Sequence, residues 1–153
     1  MKVNTILALD CATKTGYCLL RDGKVVLSGT QDFSKKRGES NGTMFLRFRS
    51  WLSKVIRDNN VDFVVYEQSH HRGGAATDIG VNLTGRVQEV AAENNIEFMP
   101  AHTAILKKFA TGSGKASKKD MIDAARNVLG RDPVDDNEAD AVMLALFGQN
   151  KIS

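Results

Sequence analysis

The chain has 153 residues, of which 42% are hydrophobic and 25% are charged, and its formal net charge is +3. This balance is typical of a globular domain and excludes an intrinsically disordered chain. No apolar run approaches the roughly 20 residues of a membrane span, and Asp10 interrupts the first apolar run before a signal peptide could form. The two cysteines, Cys11 and Cys18, are expected to be reduced thiols. The sequence therefore predicts one cytoplasmic domain over residues 1–153, without a membrane partner.

The first part of the chain has the pattern of three strands and a helix. Strands are predicted at residues 5–9, 16–20 and 24–33. The Asp22-Gly23 turn between the second and third strands is a strong signal for an antiparallel hairpin. Apolar residues then recur at helical spacing and predict an amphipathic helix over 42–58, in which Trp51 is expected to belong to the core.

The remaining elements alternate strands with helices. They are a buried strand at 62–66, a loop at 69–76, a helix at 77–94, a strand at 96–99, a short helix at 103–110, a loop at 111–117, a helix capped by Ser117 and a last helix over 136–148. This order predicts an α/β fold, with a mixed five-stranded sheet of three antiparallel strands and then two parallel strands, flanked by helices. The apolar face of helix 77–94, near Ile79, Leu83 and Val87, fits either the core or a dimer interface.

Acidic residues stand at the ends of three predicted elements. Asp10 ends the first apolar strand, Glu67 ends the strand at 62–66, and Asp140 precedes the apolar stretch of the last helix, four residues after Asp136. Carboxylates at the carboxyl ends of buried strands lie at the rim of a sheet, where α/β folds bind ligands. Like charges that converge there need a cation, and oxygen-only ligation suits Mg²⁺ or Mn²⁺. The pattern predicts a metal-dependent site that cleaves phosphodiesters.

Basic residues are grouped in two parts of the chain. The first group is Lys107, Lys108, Lys115, Lys118 and Lys119, with no acid among them. The second comprises Lys35, Lys36 and Arg37, followed by Arg47, Arg49, Lys54 and Arg57 on the first helix. Each group is either a solvated surface or a surface that binds a polyanion. Positive surroundings of a negative pocket favour a nuclease over a protein that binds a small acidic ligand.

Four segments together resemble the RuvC-type Holliday junction resolvases, which have a ribonuclease H-like fold, and in particular their compact members from bacteriophages. The segments are Asp10-Cys-Ala-Thr-Lys-Thr-Gly16, Tyr66-Glu67-Gln68, Gly112-Ser-Gly-Lys-Ala-Ser-Lys118 and Asp136-Asn-Glu-Ala-Asp140-Ala141. The resemblance covers nearly the whole chain. It implies a homodimer, in a bacterial or phage-infected cell, that nicks opposed strands of four-way or other branched DNA.

The resemblance also implies roles for individual residues. Asp10, Glu67 and Asp140 would be metal ligands, with two Mg²⁺ or Mn²⁺ ions sharing a carboxylate of the site. Lys118 would bind the scissile phosphate or stabilise charge in the transition state. Apart from the resemblance, the basic group that includes Lys107, Lys108, Lys115 and Lys119 is expected to contact DNA, because it flanks the acidic pocket.

One departure from the family concerns the start of the last helix. The cellular resolvases usually carry two acids three residues apart, whereas the residue three before Asp140 is Asn137 and the acid, Asp136, is four before it. Both offsets lie on the same helix face. We expect Asp136 to be the fourth ligand, with Asn137 as the alternative. Glu138 and Asp135 are expected to point elsewhere, with Asp135 as a possible helix cap.

A second departure lies in the loop after Glu67. The family often has an aromatic ring there, and this chain has His70, His71 and Arg72. These side chains are either surface groups or planes that stack on DNA bases. A zinc site formed by the two loop histidines with His102 is not expected, because adjacent histidines rarely face one ion.

The sequence is also compatible in part with two other functional classes. An actin-like or sugar-kinase-type ATPase fragment is suggested by the segment after the first strand, but such proteins need two such domains. The Gly112–Lys115 segment does not fit a nucleotide-binding Walker A loop, since Phe109 and Ala116 stand where that loop needs Gly and Ser or Thr. No nucleotide cofactor is therefore expected. A non-catalytic relative that binds branched DNA remains the other alternative.

Overall fold

The computed structural model describes residues 3–68 and 74–153, and these form a sheet flanked by helices. The strands are β1 (Thr5–Asp10), β2 (Lys14–Arg21), β3 (Lys24–Asp32), β4 (Phe63–Glu67) and β5 (Glu97–Ala101). The helices are α1 (Asn41–Asn59), α2 (Ala75–Glu93), α3 (Thr103–Thr111), α4 (Lys118–Leu129) and α5 (Asp136–Ile152). None of the helices within these ranges combines the length and apolarity needed to cross a membrane.

The sheet has the strand order β3-β2-β1-β4-β5. Strands β1, β2 and β3 pair antiparallel, whereas β4 pairs parallel with both β1 and β5. The predicted α/β fold, with three antiparallel strands and then two parallel ones, is confirmed. Because β1 and β4 are parallel and Leu9 pairs with Tyr66, the residues that follow, Asp10 and Glu67, emerge side by side at one edge of the sheet.

Two apolar layers cover the two faces of the sheet. Alternate side chains of β1 enter different layers: Ile6 and Ala8 pack with α4 and α5, whereas Leu7 and Leu9 pack with α1 and α2. This alternation follows from the period of two in a β-strand. The central strand is thus buried on both sides, which fixes its position within the fold.

The apolar face of α2 belongs to the core. Leu83 and Val87 have no exposed surface, and Ile79 packs partly buried against the same layer. Trp51 likewise packs edge-on against Tyr17 and Phe33, as expected for a core residue. Of the two interpretations of the α2 face, the core interpretation is therefore correct for Leu83 and Val87.

Helix α5 is longer than the sequence pattern indicated. The predicted end at Gly148 is wrong, because the helix continues to Ile152. A Cβ atom at Gly148 would lie 3.0 Å from Cγ1 of Val65, so this glycine allows α5 to lie close to β4. The residue serves close packing of a helix on a strand and does not end the helix.

Candidate active site

Three carboxylates meet at the edge of the sheet where β1 and β4 end. One oxygen each from Asp10, Glu67 and Asp140 lie within 4.8 Å of one another, and all three side chains are partly buried. Asp10 and Glu67 are the last residues of their strands, and Asp140 lies in the second turn of α5. Residues that are up to 130 positions apart in the chain thus form one acidic cluster.

The three charges disfavour one another. The pKa of Asp10 is raised well above its usual range by burial and then by the charges of Glu67 and Asp140. The pKa of Asp140 rises to about 7, first because of burial and then because of Glu67 and Asp136, while the charge of Lys107 opposes the rise. Burial and like charges both penalise ionised carboxylates. A bound cation would therefore stabilise the ionised form of the cluster.

A close approach between α5 and β2 sets the position of Asp140. A Cβ atom at Gly16 would lie 1.9 Å from the carbonyl oxygen of Asn137, so any other residue at position 16 would displace the first turn of α5. Ala139 and Ala141, which flank Asp140, have no exposed surface. Small side chains at these contacts let the helix approach the sheet closely enough for its acid to reach Asp10.

A buried glutamate fixes the segment before α5. The side chain of Glu138 has no exposed surface. It accepts hydrogen bonds from Ser28 Oγ at 2.6 Å, from the Arg131 guanidinium at 2.8 Å and from the backbone N–H of Val134 at 2.7 Å. Burial raises the pKa of Glu138, but the hydrogen bonds together lower it by a larger amount, so the pKa lies below its usual value. A charged group is thus held inside the fold by paired donors.

A second polar contact joins the start of α5 to β3. Asp135 accepts a hydrogen bond from Thr30 Oγ1 at 2.6 Å and caps α5 by accepting one from the backbone N–H of Glu138 at 2.9 Å. Asp135 is therefore the helix cap, and both it and Glu138 are directed away from the acidic cluster. Residues Ser28 and Thr30 lie two apart on β3, so both project from the same face of the sheet toward α5.

Comparisons with known proteins agree with this arrangement. No protein-family model matches the chain. The crossover junction endodeoxyribonuclease RuvC of Prochlorococcus marinus strain MIT 9301 is 32% identical over 102 residues, which is 65% of each protein and slightly less than two thirds of that relative. The RuvC of strain MIT 9312 is 28% identical over 144 residues, which is 90% of each protein.

A solved structure shows the same fold. Thermus thermophilus RuvC, in a complex with Holliday junction substrate, superposes with a TM-score of 0.80 at 18% identity, over 94% of this chain and 91% of that one. The fold is ribonuclease H-like. In sequence and in fold, the chain is similar to the RuvC-type resolvases. The family resemblance seen in the four sequence segments is confirmed.

The fourth acid, Asp136, lies beside the cluster and not within it. Asp136 contributes no oxygen to the group that spans 4.8 Å, and its carboxylate instead forms an ion pair with Lys118 at 3.5 Å. The charge of Asp136 still raises the pKa of both Asp10 and Asp140. The backbone of Asn137, the alternative ligand, packs against Gly16.

The lysines near the acidic cluster differ in their surroundings. Lys107 is half-buried on α3, and it is the lysine whose charge acts on the pKa of Asp140. Lys118 begins α4 and is 84% exposed. Lys119 is equally exposed and pairs with Asp123 at 3.2 Å. Lys108 and Lys115 are exposed, so the group forms a positive surface next to the acids.

The basic residues of α1 are partly neutralised within the protein. Arg47 pairs with Glu39 at 2.9 Å, and Lys54 pairs with Asp58 at 2.7 Å. Arg49 pairs with two glutamates of α2. These ion pairs favour the interpretation of this part of the second basic group as a solvated surface. The loop residues His70, His71 and Arg72 lie outside the described residues.

Sequence analysis missed one residue that contacts the cluster directly. Thr103, the first residue of α3, donates a hydrogen bond from Oγ1 to Oε1 of Glu67 at 2.6 Å. A threonine at the start of a predicted helix carries no signal of such a role. The pairing of Glu67 with Ala101 in the sheet is what brings Thr103 to this position.

Proposed function

We propose that the protein is a divalent-metal-dependent endonuclease that resolves Holliday junctions and cuts other branched DNA by paired nicks. The observation that carries the proposal is the convergence of Asp10, Glu67 and Asp140 oxygens within 4.8 Å. Two relatives named crossover junction endodeoxyribonuclease support the choice of substrate. A structure of a RuvC with Holliday junction substrate has the same fold.

The chemistry of the cluster fits Mg²⁺ or Mn²⁺. Its donors are all carboxylate oxygens, which these hard cations prefer. In residues 3–68 and 74–153, no lysine or arginine forms an ion pair with Asp10, Glu67 or Asp140. The raised pKa values of Asp10 and Asp140 support the same conclusion, because burial and then like charges penalise their ionised forms, and a bound cation would offset both.

We infer that Asp10, Glu67 and Asp140 hold two such ions, with Asp136 as a further ligand and Asn137 as the alternative to it. When bound, the ions would lower the pKa of an attacking water and stabilise charge on the phosphate oxygens. Asp10, at the end of the central strand β1, would be one of the residues that hold the ions.

The lysines would contact different parts of the DNA. If Asp136 turns toward an ion, Lys118 loses its partner at 3.5 Å and becomes available to the scissile phosphate, where its charge would stabilise the transition state. Lys107, which lies near Asp140, would hold the same phosphate. Lys108, Lys115 and Lys119, with the loop residues His70, His71 and Arg72, would contact the DNA on either side.

A homodimer would give the two active sites that paired nicking requires. A groove between α1 and α2 is the best surface for it, since Leu46 is 70% exposed there and Phe45 lies beside it. The groove also carries two arginines and two glutamates, namely Arg49, Arg86, Glu89 and Glu93. A surface with both signs of charge can pair with itself across a two-fold axis.

Cleavage of a labelled synthetic four-way junction tests the proposal. We expect symmetric paired nicks with Mg²⁺ or Mn²⁺ and none with EDTA. Asp10→Asn and Glu67→Gln should abolish cleavage and spare junction binding, because each removes a ligand without repacking the core. Asp32→Asn is the matched control, since Asp32 also ends a strand but is exposed and lies outside the cluster.

The same assay distinguishes the alternatives. Binding of the junction without cleavage under any metal condition would support the non-catalytic relative. Hydrolysis of a nucleotide would support the ATPase. Loss of junction binding in step with cleavage in Asp10→Asn would show that the acids serve structure and would refute the metal site.

A further inference from the structure

The acidic cluster has one neutral hydrogen-bond donor beside it. Thr103 Oγ1 lies 2.6 Å from Glu67 Oε1, and over residues 3–68 and 74–153 no other side-chain hydroxyl or amide donates to Asp10, Glu67 or Asp140. A hydroxyl offers one proton and a carboxylate has about four acceptor positions. The contact therefore occupies one position of Glu67 and leaves the others free for a cation.

The backbone holds the hydroxyl in place. Glu67 pairs with Ala101 across β4 and β5, and the backbone N–H of Gln68 donates to the Ala101 carbonyl at 2.8 Å. Two residues after Ala101, Thr103 begins α3, and Leu106 of that helix is buried in the core. The position of the hydroxyl thus follows from sheet register and core packing and not from a flexible loop.

We infer that Thr103 is a positioning residue, which orients the Glu67 carboxylate for the divalent cation of the proposed active site. This inference rests on the proposed function. A free glutamate side chain loses conformational entropy when it becomes a metal ligand. A hydrogen bond to one of its oxygens already restricts the side chain before the ion binds, so less entropy is lost on binding. The contact also satisfies Glu67 while the cluster holds no cation. Thr103 itself need not touch the ion or the DNA.

Direct measurement of Mn²⁺ binding to the whole chain, without DNA, tests the inference. Thr103→Val keeps the shape of the side chain and removes the hydroxyl, and we expect it to weaken Mn²⁺ binding by about 10-fold or more. Thr103→Ser retains the hydroxyl and should bind Mn²⁺ as the wild type does. Junction binding in EDTA should be the same in all three proteins, because the lysine surface is unchanged.

A matched control separates the role of this hydroxyl from the general effect of losing one. Thr84 on α2 also donates a hydrogen bond, to the Val81 carbonyl at 2.8 Å, and it lies outside the acidic cluster. Thr84→Val should lower thermal stability in EDTA and leave the affinity for Mn²⁺ unchanged. If valine at the start of α3 prevents folding, as judged by circular dichroism, Thr103→Ala is measured in its place.

The outcomes separate this inference from the proposed function. If Asp10→Asn binds Mn²⁺ as tightly as the wild type, the metal site itself is wrong. If Asp10→Asn loses Mn²⁺ binding but Thr103→Val does not, only the role of Thr103 is refuted. A Thr103→Ser protein as weak as Thr103→Val would also refute it, since the hydroxyl would then not be the cause.

Discussion

Replacement of Asp140 by asparagine should stabilise the metal-free protein at neutral and alkaline pH, although it removes a proposed metal ligand. Asp140 is held close to Glu67 and Asp10, and burial together with the charges of Glu67 and Asp136 raises its pKa to about 7. An ionised carboxylate in this position weakens the fold. Asparagine has nearly the same shape and carries no charge, so the substitution removes the repulsion and leaves the packing of α5 intact.

The sign of the pH dependence follows from the direction of the pKa shift. An acid whose pKa is higher in the folded than in the unfolded protein binds its proton more tightly when folded, so stability falls as pH rises between the two values. For Asp140 this interval extends from the ordinary range of aspartate up to about pH 7. The destabilisation is complete above the interval and absent below it.

The magnitude can be bounded from the same shift. At about 1.4 kcal/mol per pKa unit, the rise of the Asp140 pKa corresponds to an upper limit of about 4 kcal/mol. Asp10 shares the repulsion, and the amide must still be buried, so we expect a gain of about 2 kcal/mol. For a chain of this size, that gain raises the melting temperature by about 4–8 °C.

Thermal unfolding in EDTA at about pH 8 and about pH 5 measures the effect. We expect Asp140→Asn to be more stable than the wild type at the higher pH and to lose most of that advantage at the lower one. With Mn²⁺ the order should reverse, because the wild type gains more from the ion. Glu97→Gln, at an exposed acid of β5, is the control and should show neither effect. Equal destabilisation by Asp140→Asn at both pH values would refute the electrostatic reasoning.

Three further predictions test other parts of the structure. Glu138→Ala should reduce the free energy of unfolding by about 2 kcal/mol, measured with urea, because it removes the hydrogen bonds from Ser28 and from the Val134 backbone and the ion pair with Arg131; an unchanged midpoint would contradict this. Lys118→Ala should lower the cleavage rate more than junction affinity, and an equal fall in both would assign it to plain backbone contact. Leu46→Glu should yield monomers in sedimentation, whereas Ile105→Glu, also at an exposed apolar residue, should not.

The strands and the two central acids follow from local sequence patterns. An apolar run that ends in an acid predicts a strand with its carboxylate at the sheet edge, and parallel pairing of two such strands brings Asp10 and Glu67 together. The position of Asp140 directly before the last apolar stretch likewise predicted that its carboxylate converges with theirs. These features depend on the period of an element and on the direction of its chain, both of which are readable from sequence.

Contacts between side chains that are far apart in the chain could not be predicted from sequence patterns. Ser28 and Glu138 are separated by 110 positions, and Thr103 and Glu67 by 36. Each contact depends on strand register and on how closely a helix approaches the sheet. Neither property produces a periodic pattern in the sequence. The predicted end of the last helix at Gly148 was wrong for the same reason. Glycine ends many helices, but here it allows α5 to contact Val65 closely.

Apolar burial is what holds the mutually repelling acids together. Leu9 and Ala139, which directly precede Asp10 and Asp140, have no exposed surface, and Tyr66, which precedes Glu67, is 5% exposed. To separate the acids, a strand or helix end would have to withdraw these neighbours from the core. Burial of one large apolar side chain contributes about 1.5–3 kcal/mol, and several such residues together exceed the repulsion bounded above. The fold can therefore keep a destabilising cluster assembled, so that the binding of a cation needs little rearrangement of the chain.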